Sequence, residues 1–443
     1  MQQGFLRAYA MNVNPSPKIA ILLNYFPVLS ETFIYSEIKG LKNLGIKISI
    51  FSLFRTDNDK IRNDAKDLLS LTTYLSDDFH IGTLLSAHLF FLLRRPRHYF
   101  KTFFFALEHR NTRSILRTVI LLWRMRGKSR LSVPKHDRQN ILLHFFLVAP
   151  FAKRIHKGRY LLIHAHLVNA ATSFAMLGSM LTKASYCVTT HATDLFVQPE
   201  MLRQKFKTAS FIITCTKYNK EYIRERYPVV NLDNVYVIYH GLNVDLFRAD
   251  LSKRERKGPA LLSIGRLVEK KGFHNLLHAC RIINDRNIPF TLTIVGEGPE
   301  RAQLELYVRV SQLTDRVIFA GAVPPDQIRS FYEKANLFVL PCIIASSGDR
   351  DGIPNVIAEA MAMELPVVST SISGIPEVVA SGKTGLLVEP NDVDALVDAI
   401  LDLVQNPEKA VQMGRSGRER IIQIFDAKVK IKELYDLLIE KLY

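Results

Sequence analysis

Two separate runs of strand-then-helix alternation, divided by a polar stretch, constrain this chain more than any other feature. The first opens at 18–24 (KIAILLN), an apolar run of strand length. A helix follows at 31–44, with Ser30 as its expected cap and Gly45 at its end, and then a second strand at 46–53. From about 55 to 158 the alternation gives way to helical, aromatic and basic sequence. It resumes with strands at 161–166, 186–190, 211–215 and 235–239 and a helix around 170–181. Residues 240–258 are polar and charged and read as a linker. A second alternation then places strands at 260–264, 290–295, 317–319, 337–340, 366–369 and 386–388. Such arrays build parallel sheets with helices on both faces, and ligands bind outside the carboxyl ends of the strands. The expectation is an α/β protein of two doubly wound, Rossmann-like domains around a central cleft. Residues 1–245 would form the first, with a helical basic insert at about 80–160. Residues 246–425 would form the second, and a last helix, 426–443, would cross back to the first. No internal repeat or low-complexity tract interrupts this scheme.

A chain of 443 residues exceeds one ordinary core, which agrees with two domains. Cys187, Cys215, Cys280 and Cys342 are widely spaced with no Cys-x-x-Cys pair, which argues against a disulfide framework or zinc module and for a reducing compartment. No signal peptide is indicated at the start, and no apolar run reaches membrane-spanning length. The net charge is +17. Between 81 and 160 stand 17 Lys/Arg against only Glu108 and Asp137, so one segment carries nearly the whole excess.

The segment 348–362 carries the chemistry. Asp351 precedes Gly352-Ile353-Pro354-Asn355, and Glu359 follows eight positions after Asp351 among Val356, Ile357, Ala360 and Met361. Pro354 suits a first helical turn, where its missing N–H costs little. An unpaired carboxylate in that apolar setting would be costly, so Glu359 needs a partner. Free amides at the helix start favour an anion, above all a phosphate. A phosphate at a helix tip with carboxylates beside it to take sugar hydroxyls describes a nucleotide-sugar site.

The segment resembles the acid-x7-Glu motif of family 4 glycosyltransferases, retaining enzymes of the two-domain GT-B fold, with Asp351 where the first acid is usually Glu. Gly265-Arg266-Leu267 with Lys271-Gly272 resembles the family's diphosphate grip, which makes Arg266 and Lys271 the donor cations and Lys270 a solvated neighbour. Val295-Gly296-Glu297-Gly298-Pro299 and Phe319-Ala320-Gly321-Ala322-Val323 resemble the next two blocks; Gly321 and Val323 would lie against the nucleotide base. Ser373-Gly374-Ile375-Pro376-Glu377 and Gly382-Lys383-Thr384-Gly385 match another, with Ser373 in place of a common Gly. His191 in Thr190-His191-Ala192-Thr193-Asp194 is similar to the family's cleft histidine. Tyr239-His240-Gly241-Leu242-Asn243-Val244-Asp245 resembles the turn that opens its linker. Ser30 and Glu31, His166 and Asp194 are candidates for the acceptor side, and the Gly-Gly pair that relatives carry near Ser30 is missing. The opening Ser30-Glu31-Thr32-Phe33-Ile34 is similar to the bacterial exopolysaccharide branch, including colanic-acid-type enzymes.

The resemblance implies transfer of a hexose from a nucleotide diphosphate sugar to a hydroxyl of a polyprenyl-linked or other oligosaccharide, with retention. Asp351 and Glu359 would take sugar and ribose hydroxyls. Two alternatives stay open at this level: a sugar-nucleotide epimerase on the same fold, and a catalytically silent, membrane-docked subunit. Asp349-Arg350-Asp351 invites a metal reading, but Asp351 already belongs to the acid-x7-Glu pattern and two cations replace a metal on the diphosphate. No metal or cofactor is therefore expected. His164 and His166 lack a third ligand nearby in sequence. The basic insert pairs apolar clusters with cations at 91–97 and 119–126, where the only tryptophan, Trp123, stands; 103–105 and 141–152 would add apolar surface. An interfacial helix on an anionic membrane has this composition, and so do helices packed inside the first domain with their cations solvated. No helix-turn-helix, zinc-finger or RNA-binding signature accompanies the charge, so nucleic acid is not an expected partner. The expected location is cytoplasmic, peripheral on the inner face of the cytoplasmic membrane.

Overall fold

A computed structural model describes residues 17–28, 31–56, 67–110, 118, 140–197, 201–250, 258–324 and 327–443. The first lobe contains β1 (Lys18–Phe26), α1 (Thr32–Asn43), β2 (Lys47–Arg55), β3 (Thr72–Tyr74), α2 (Ile81–Arg94), α3 (Pro96–Glu108), α4 (Ile141–Gly158), β4 (Leu162–His166), α5 (Ala170–Thr182), β5 (Ser185–Thr190), α6 (Ala192–Phe196), α7 (Leu202–Thr208), β6 (Phe211–Thr214), α8 (Lys217–Arg226) and β7 (Val235–Val237). Its seven strands run in the order β3-β2-β1-β4-β5-β6-β7, every pair parallel. The second lobe has six parallel strands: β8 (Ala260–Ile264), β9 (Thr291–Val295), β10 (Val317–Gly321), β11 (Leu337–Leu340), β12 (Val367–Thr370) and β13 (Leu386–Val388). They run β10-β9-β8-β11-β12-β13. Both orders reverse direction beside the first strand, at β1/β4 and at β8/β11, which marks a ligand crevice in each lobe.

The strand β1 shows why the pattern folds this way. Ile19 to Leu23 are all buried, as expected of a strand covered on both faces. Ile19, Ile21 and Leu23 pack with Ile34, Tyr35, Ile38 and Leu41, the apolar stripe of α1. Ala20 and Leu22 face the other way, into a core with Phe51, Phe91, Phe145, Phe151 and Phe174. Thus the helices at 81–108 and 141–158 are the covering layer of the first sheet. The stretch 141–152, expected to add apolar surface, is core instead: Ile141, Leu143, Phe145, Val148 and Phe151 are all buried. The outer faces of α2 and α3 are different, because Leu85, Leu89, Leu93, Phe100 and Phe104 are exposed. Trp123 and the cluster at 119–126 lie outside the described residues. Among the described residues no helix is long and apolar enough to cross a membrane.

In the second lobe the helices α9 (Phe273–Asp285), α10 (Arg301–Val310), α11 (Ile328–Lys334), α12 (Asn355–Ala362), α13 (Ile375–Val378), α14 (Val393–Gln405) and α15 (Pro407–Phe425) flank the sheet around a single core. The last helix, α16 (Ala427–Leu442), is capped by Asp426, whose side chain accepts from Lys428 N. It returns to the first lobe, where Leu434, Leu437 and Leu438 share the core of α1. Ser30, expected to cap α1, lies outside the described residues; Glu31 holds the cap position and makes no side-chain capping bond. The short edge strand β3 has no counterpart in the sequence reading, because Thr72, Thr73 and Tyr74 form no apolar run.

Candidate functional site

At the end of β8 the chain passes Gly265 and Arg266 into a short turn at Glu269–Lys271. Gly272 then enters α9 with φ +70°, and a Cβ there would stand 1.8 Å from the carbonyl oxygen of Pro341. Only glycine permits that approach, and it sets the turn against the end of β11. Lys271 Nζ consequently lies 2.6 Å from Asp351 Oδ2. Burial opposes the lysine's charge, but Asp351 outweighs it and raises the pKa; in turn, Lys271 and Lys270 hold the Asp351 carboxyl below its usual range despite burial. Lys270 is not a solvated neighbour. Its side chain is only 16% exposed, with Nζ 3.1 Å from Asp349 Oδ2 and 3.3 Å from Asp351 Oδ1. Arg266 is exposed and has no carboxylate partner among the described residues.

Pro354 takes the cap position of α12, one residue earlier than a first-turn placement, and Asn355 begins the helix. Glu359, one turn in, receives a hydrogen bond at Oε2 from the Tyr332 hydroxyl at 2.8 Å. Burial raises its pKa, and the Tyr332 bond only partly offsets this. Tyr332, fully buried on α11, is the partner that Glu359 requires; it lies in no motif, and an aromatic within an ordinary amphipathic helix gives no warning of the role. Gly352 and Pro354 are buried, and Ile353 and Asn355 half-buried. Gly321 closes β10, its carbonyl accepting from Gly296 N at 2.8 Å, and Val323 packs half-buried on the core.

The opposite wall is built of imidazoles. His191, after β5, is only 8% exposed and caps α6 together with Asp194. Its Nδ1 lies 3.2 Å from His240 Nε2, its Nε2 has no hydrogen-bond partner, and the Phe33 ring stacks on His240 with centroids 4.1 Å apart. Burial, reinforced by His240, pushes the His191 pKa well below the usual range; burial brings His240 down to about 4. Both rings are neutral near pH 7. Asp194, expected on the acceptor side, is spent on backbone amides instead: it accepts from His191 N at 2.8 Å and Val168 N at 2.5 Å. His166 likewise does not present itself to an acceptor surface; it is fully buried, with Nε2 3.1 Å from Glu37 Oε1. Glu31 is half-buried at the mouth of the wall, and burial raises its pKa to about 7, with His166 pulling it back.

The two walls meet. Cys215 Sγ lies within 4.8 Å of ligand-type nitrogens of His191 and His240. It is also 3.7 Å from where a Cβ on Gly352 would stand. Beside this contact Glu377 of α13 accepts from Lys217 N and Tyr218 N, both at 2.8 Å, and from the Tyr239 hydroxyl. The carboxylate therefore satisfies the free amides at the start of α8 from across the cleft. Arg350 donates to the Tyr218 hydroxyl and stands over the Phe196 ring. Thus the Lys271–Asp351 pair, with Arg266 next to it in the chain, and His191 belong to the two walls that touch at Cys215 and Gly352. Together the walls offer one unpaired cation, one cation shared with a carboxylate, a carboxylate held by a tyrosine, and a neutral imidazole. Such a set suits an anionic leaving group bonded to a polyhydroxylated substrate.

Comparisons with known proteins agree. Residues 247–420 match the family described as glycosyl transferases group 1, and residues 108–246 match glycosyltransferase family 4. The chain is 27% identical over 439 residues to WcaL of Escherichia coli K12, assigned as a colanic acid biosynthesis glycosyltransferase, covering 95% of this chain and 99% of WcaL. It is 32% identical over 206 residues to the amylovoran biosynthesis glycosyltransferase AmsK of Erwinia amylovora, covering 46% of this chain and 51% of AmsK. A glycosyltransferase structure from Rickettsia africae superposes with a TM-score of 0.69 at 16% identity, covering 97% of this chain and 99% of that one. HepE of Anabaena in complex with UDP superposes with 0.66 at 16% identity, covering 96% and 100%.

Proposed function

The chain belongs to the family 4 type of GT-B glycosyltransferases, and from that premise we propose that it moves a hexose from a nucleotide diphosphate sugar to a hydroxyl of a polyprenyl-linked or other oligosaccharide in exopolysaccharide assembly. WcaL and AmsK support the pathway class, and the UDP-bound relative supports the donor class. The observation that carries the reading is the Lys271–Asp351 pair beside exposed Arg266, set across the Cys215–Gly352 contact from His191. As the bond from sugar carbon to phosphate oxygen breaks, charge builds on the departing diphosphate. Exposed Arg266 and the largely buried Lys271 meet that charge, as cations fixed in place before the step. Before donor arrives Asp351 keeps Lys271 folded in place; with donor bound, Asp351 takes sugar hydroxyls and Glu359 those of the ribose. His191, being neutral, contributes a hydrogen bond rather than charge. The acceptor hydroxyl attacks on the face the diphosphate leaves, so configuration is retained, and the leaving phosphate takes the proton. This step uses no metal.

The outer face of α2 and α3 supports an acceptor held at a membrane. Leu85, Leu89, Leu93, Phe100 and Phe104 are exposed there, flanked by Arg94, Arg97 and Lys101. Cations close to an anionic surface add about 1 kcal/mol each. The enzyme would thus sit peripherally on the inner face of the cytoplasmic membrane.

Thermal melting with a panel of UDP-, GDP- and ADP-sugars tests the donor assignment. One base class should raise Tm in wild type and fail to do so in Arg266→Ala; no shift with any of them removes the nucleotide-sugar reading. Product formed only when acceptor is added separates transfer from epimerisation.

A further inference from the structure

Behind His191 a second cluster of metal-ligating groups lies deeper in the first lobe, outside the transfer chemistry. Glu37 stands on the inner side of α1, and His164 and His166 are alternate residues near the end of β4. Their ligand atoms lie within 4.8 Å of one another: Glu37 Oε1 is 3.1 Å from His166 Nε2 and 3.8 Å from His164 Nδ1. Both histidines are completely buried.

Two further observations point to a ligand. Glu37 Oε1, His164 Nδ1 and both ring nitrogens of His166 are buried without a well-aligned hydrogen bond, although Glu37 and His166 attract each other across 3.1 Å. Three lone-pair donors that close together, and poorly aligned with one another, fit a common point between them. Tetrahedral zinc, with bonds near 2.0–2.2 Å, sets its ligands roughly 3.3 Å apart. In addition, His164 Nε2 lies 2.7 Å from Thr189 Oγ1 on β5. With Nδ1 as the ligand, Nε2–H donates to that hydroxyl, the outer bond that fixes tautomer and ring orientation in metal sites.

We propose that Glu37 Oε1, His164 Nδ1 and His166 Nε2 bind one divalent transition-metal ion of zinc type, which ties α1 to β4. Water or the second Glu37 oxygen completes four-coordination. The ion is structural. Phe33, one turn before Glu37 on the same helix, stacks on His240, so the tie holds α1 and Phe33 against the imidazole wall. The neighbouring set His191, Cys215 and His240 is a weaker choice, because His191 Nδ1 and His240 Nε2 already face each other at 3.2 Å.

The test is metal content and the spectrum of a cobalt substitute, neither of which depends on activity. Full-length protein purified without chelator, then equilibrated with Zn2+ alone and desalted, should retain about one equivalent. Glu37→Gln and His164→Ala should each reduce that at least tenfold, while Cys215→Ser should leave it unchanged. Should the variants fail to fold, wild-type protein exchanged into Co2+ alone decides: the d–d absorption of a four-coordinate ion is expected, lost on adding excess Zn2+. Absence of stoichiometric zinc in wild type, an octahedral cobalt spectrum, or zinc retained in both ligand variants overturns the proposal. A loss of metal in Cys215→Ser does so too, by moving the ion to the other set.

Discussion

Glu359 and Glu31 are carboxyls whose burial opposes ionisation, with different consequences. Glu359 has one oxygen on the Tyr332 hydroxyl, and its raised pKa means that holding it charged costs folding energy. Replacing Glu359 with Gln therefore leaves stability unchanged or slightly improved at neutral pH, while transfer falls on the order of 10²-fold, the usual cost of one preorganised polar contact. Paired melting curves and initial rates check this, and near-normal turnover would remove Glu359 from the mechanism. For Glu31 the sign works as follows. Its folded pKa, about 7, lies above the ordinary value of 4.5, so between these pH values the folded state binds more protons than the unfolded one. Its contribution to stability is complete below 4.5 and is lost as pH rises through 7. If Glu31 serves the acceptor as a carboxylate, transfer rises with pH through about 7. Glu31→Gln should flatten that limb of the pH–rate profile, and an unchanged profile would take Glu31 out of the acceptor site.

At the scale of elements, α2 and α3 serve two environments at once. Leu84, Ala87 and Phe91 face the core, whereas Leu85, Leu89 and Leu93 recur every fourth residue on the outside. A helix packed on one stripe and apolar on the other has a further surface to meet. Leu89→Glu combined with Phe104→Glu should abolish flotation with anionic vesicles at low salt and leave Tm nearly unchanged, since neither side chain is in the core. Flotation equal to wild type would rule this face out as the docking surface. The helix α6 makes the opposite point: the Asp194 carboxylate, which sequence alone suggests as an acceptor ligand, is consumed in fixing the backbone around His191. Its role is to position the histidine.

For the whole molecule, the relation between lobes involves the chain crossings, the packing of α16 and the bridges from Glu377 and Arg350. Gly241, with φ +74°, lies so close to Ala427 that a Cβ would stand 2.7 Å from its Cα, and Leu242 exchanges backbone bonds with Phe425 and Ala427. The two chain crossings are thereby paired into one joint. Away from it, Glu377 bridges 160 positions to the amides of α8. Glu377→Ala removes that bridge without touching either core. It should enlarge the radius of gyration of the free enzyme in solution scattering and raise KM for donor several-fold, with a small change in Tm. An unaltered scattering profile would show that the bridge does not hold the lobes together.

The strand and helix periods of this chain were decided locally, which is why 260–264, 337–340 and 386–388 coincide with β8, β11 and β13 and the other strands, β3 apart, differ by a residue or two. The same holds for the Gly-Arg-Leu, Lys-Gly and acid-x7-Glu segments, whose residues are near neighbours in sequence. What each side chain does was decided by partners brought from elsewhere by the parallel crossovers. Lys270 became an ion-pair member, Asp194 a cap, Tyr332 the donor to Glu359, and Glu37 the third member of a histidine pair. Periodicity reports which face of an element is apolar, but not which distant element will lie against it. Sequence therefore determined the elements and the class of chemistry, and tertiary structure decided the pairings, because a buried polar atom takes its role from whatever group the fold sets within about 3 Å of it.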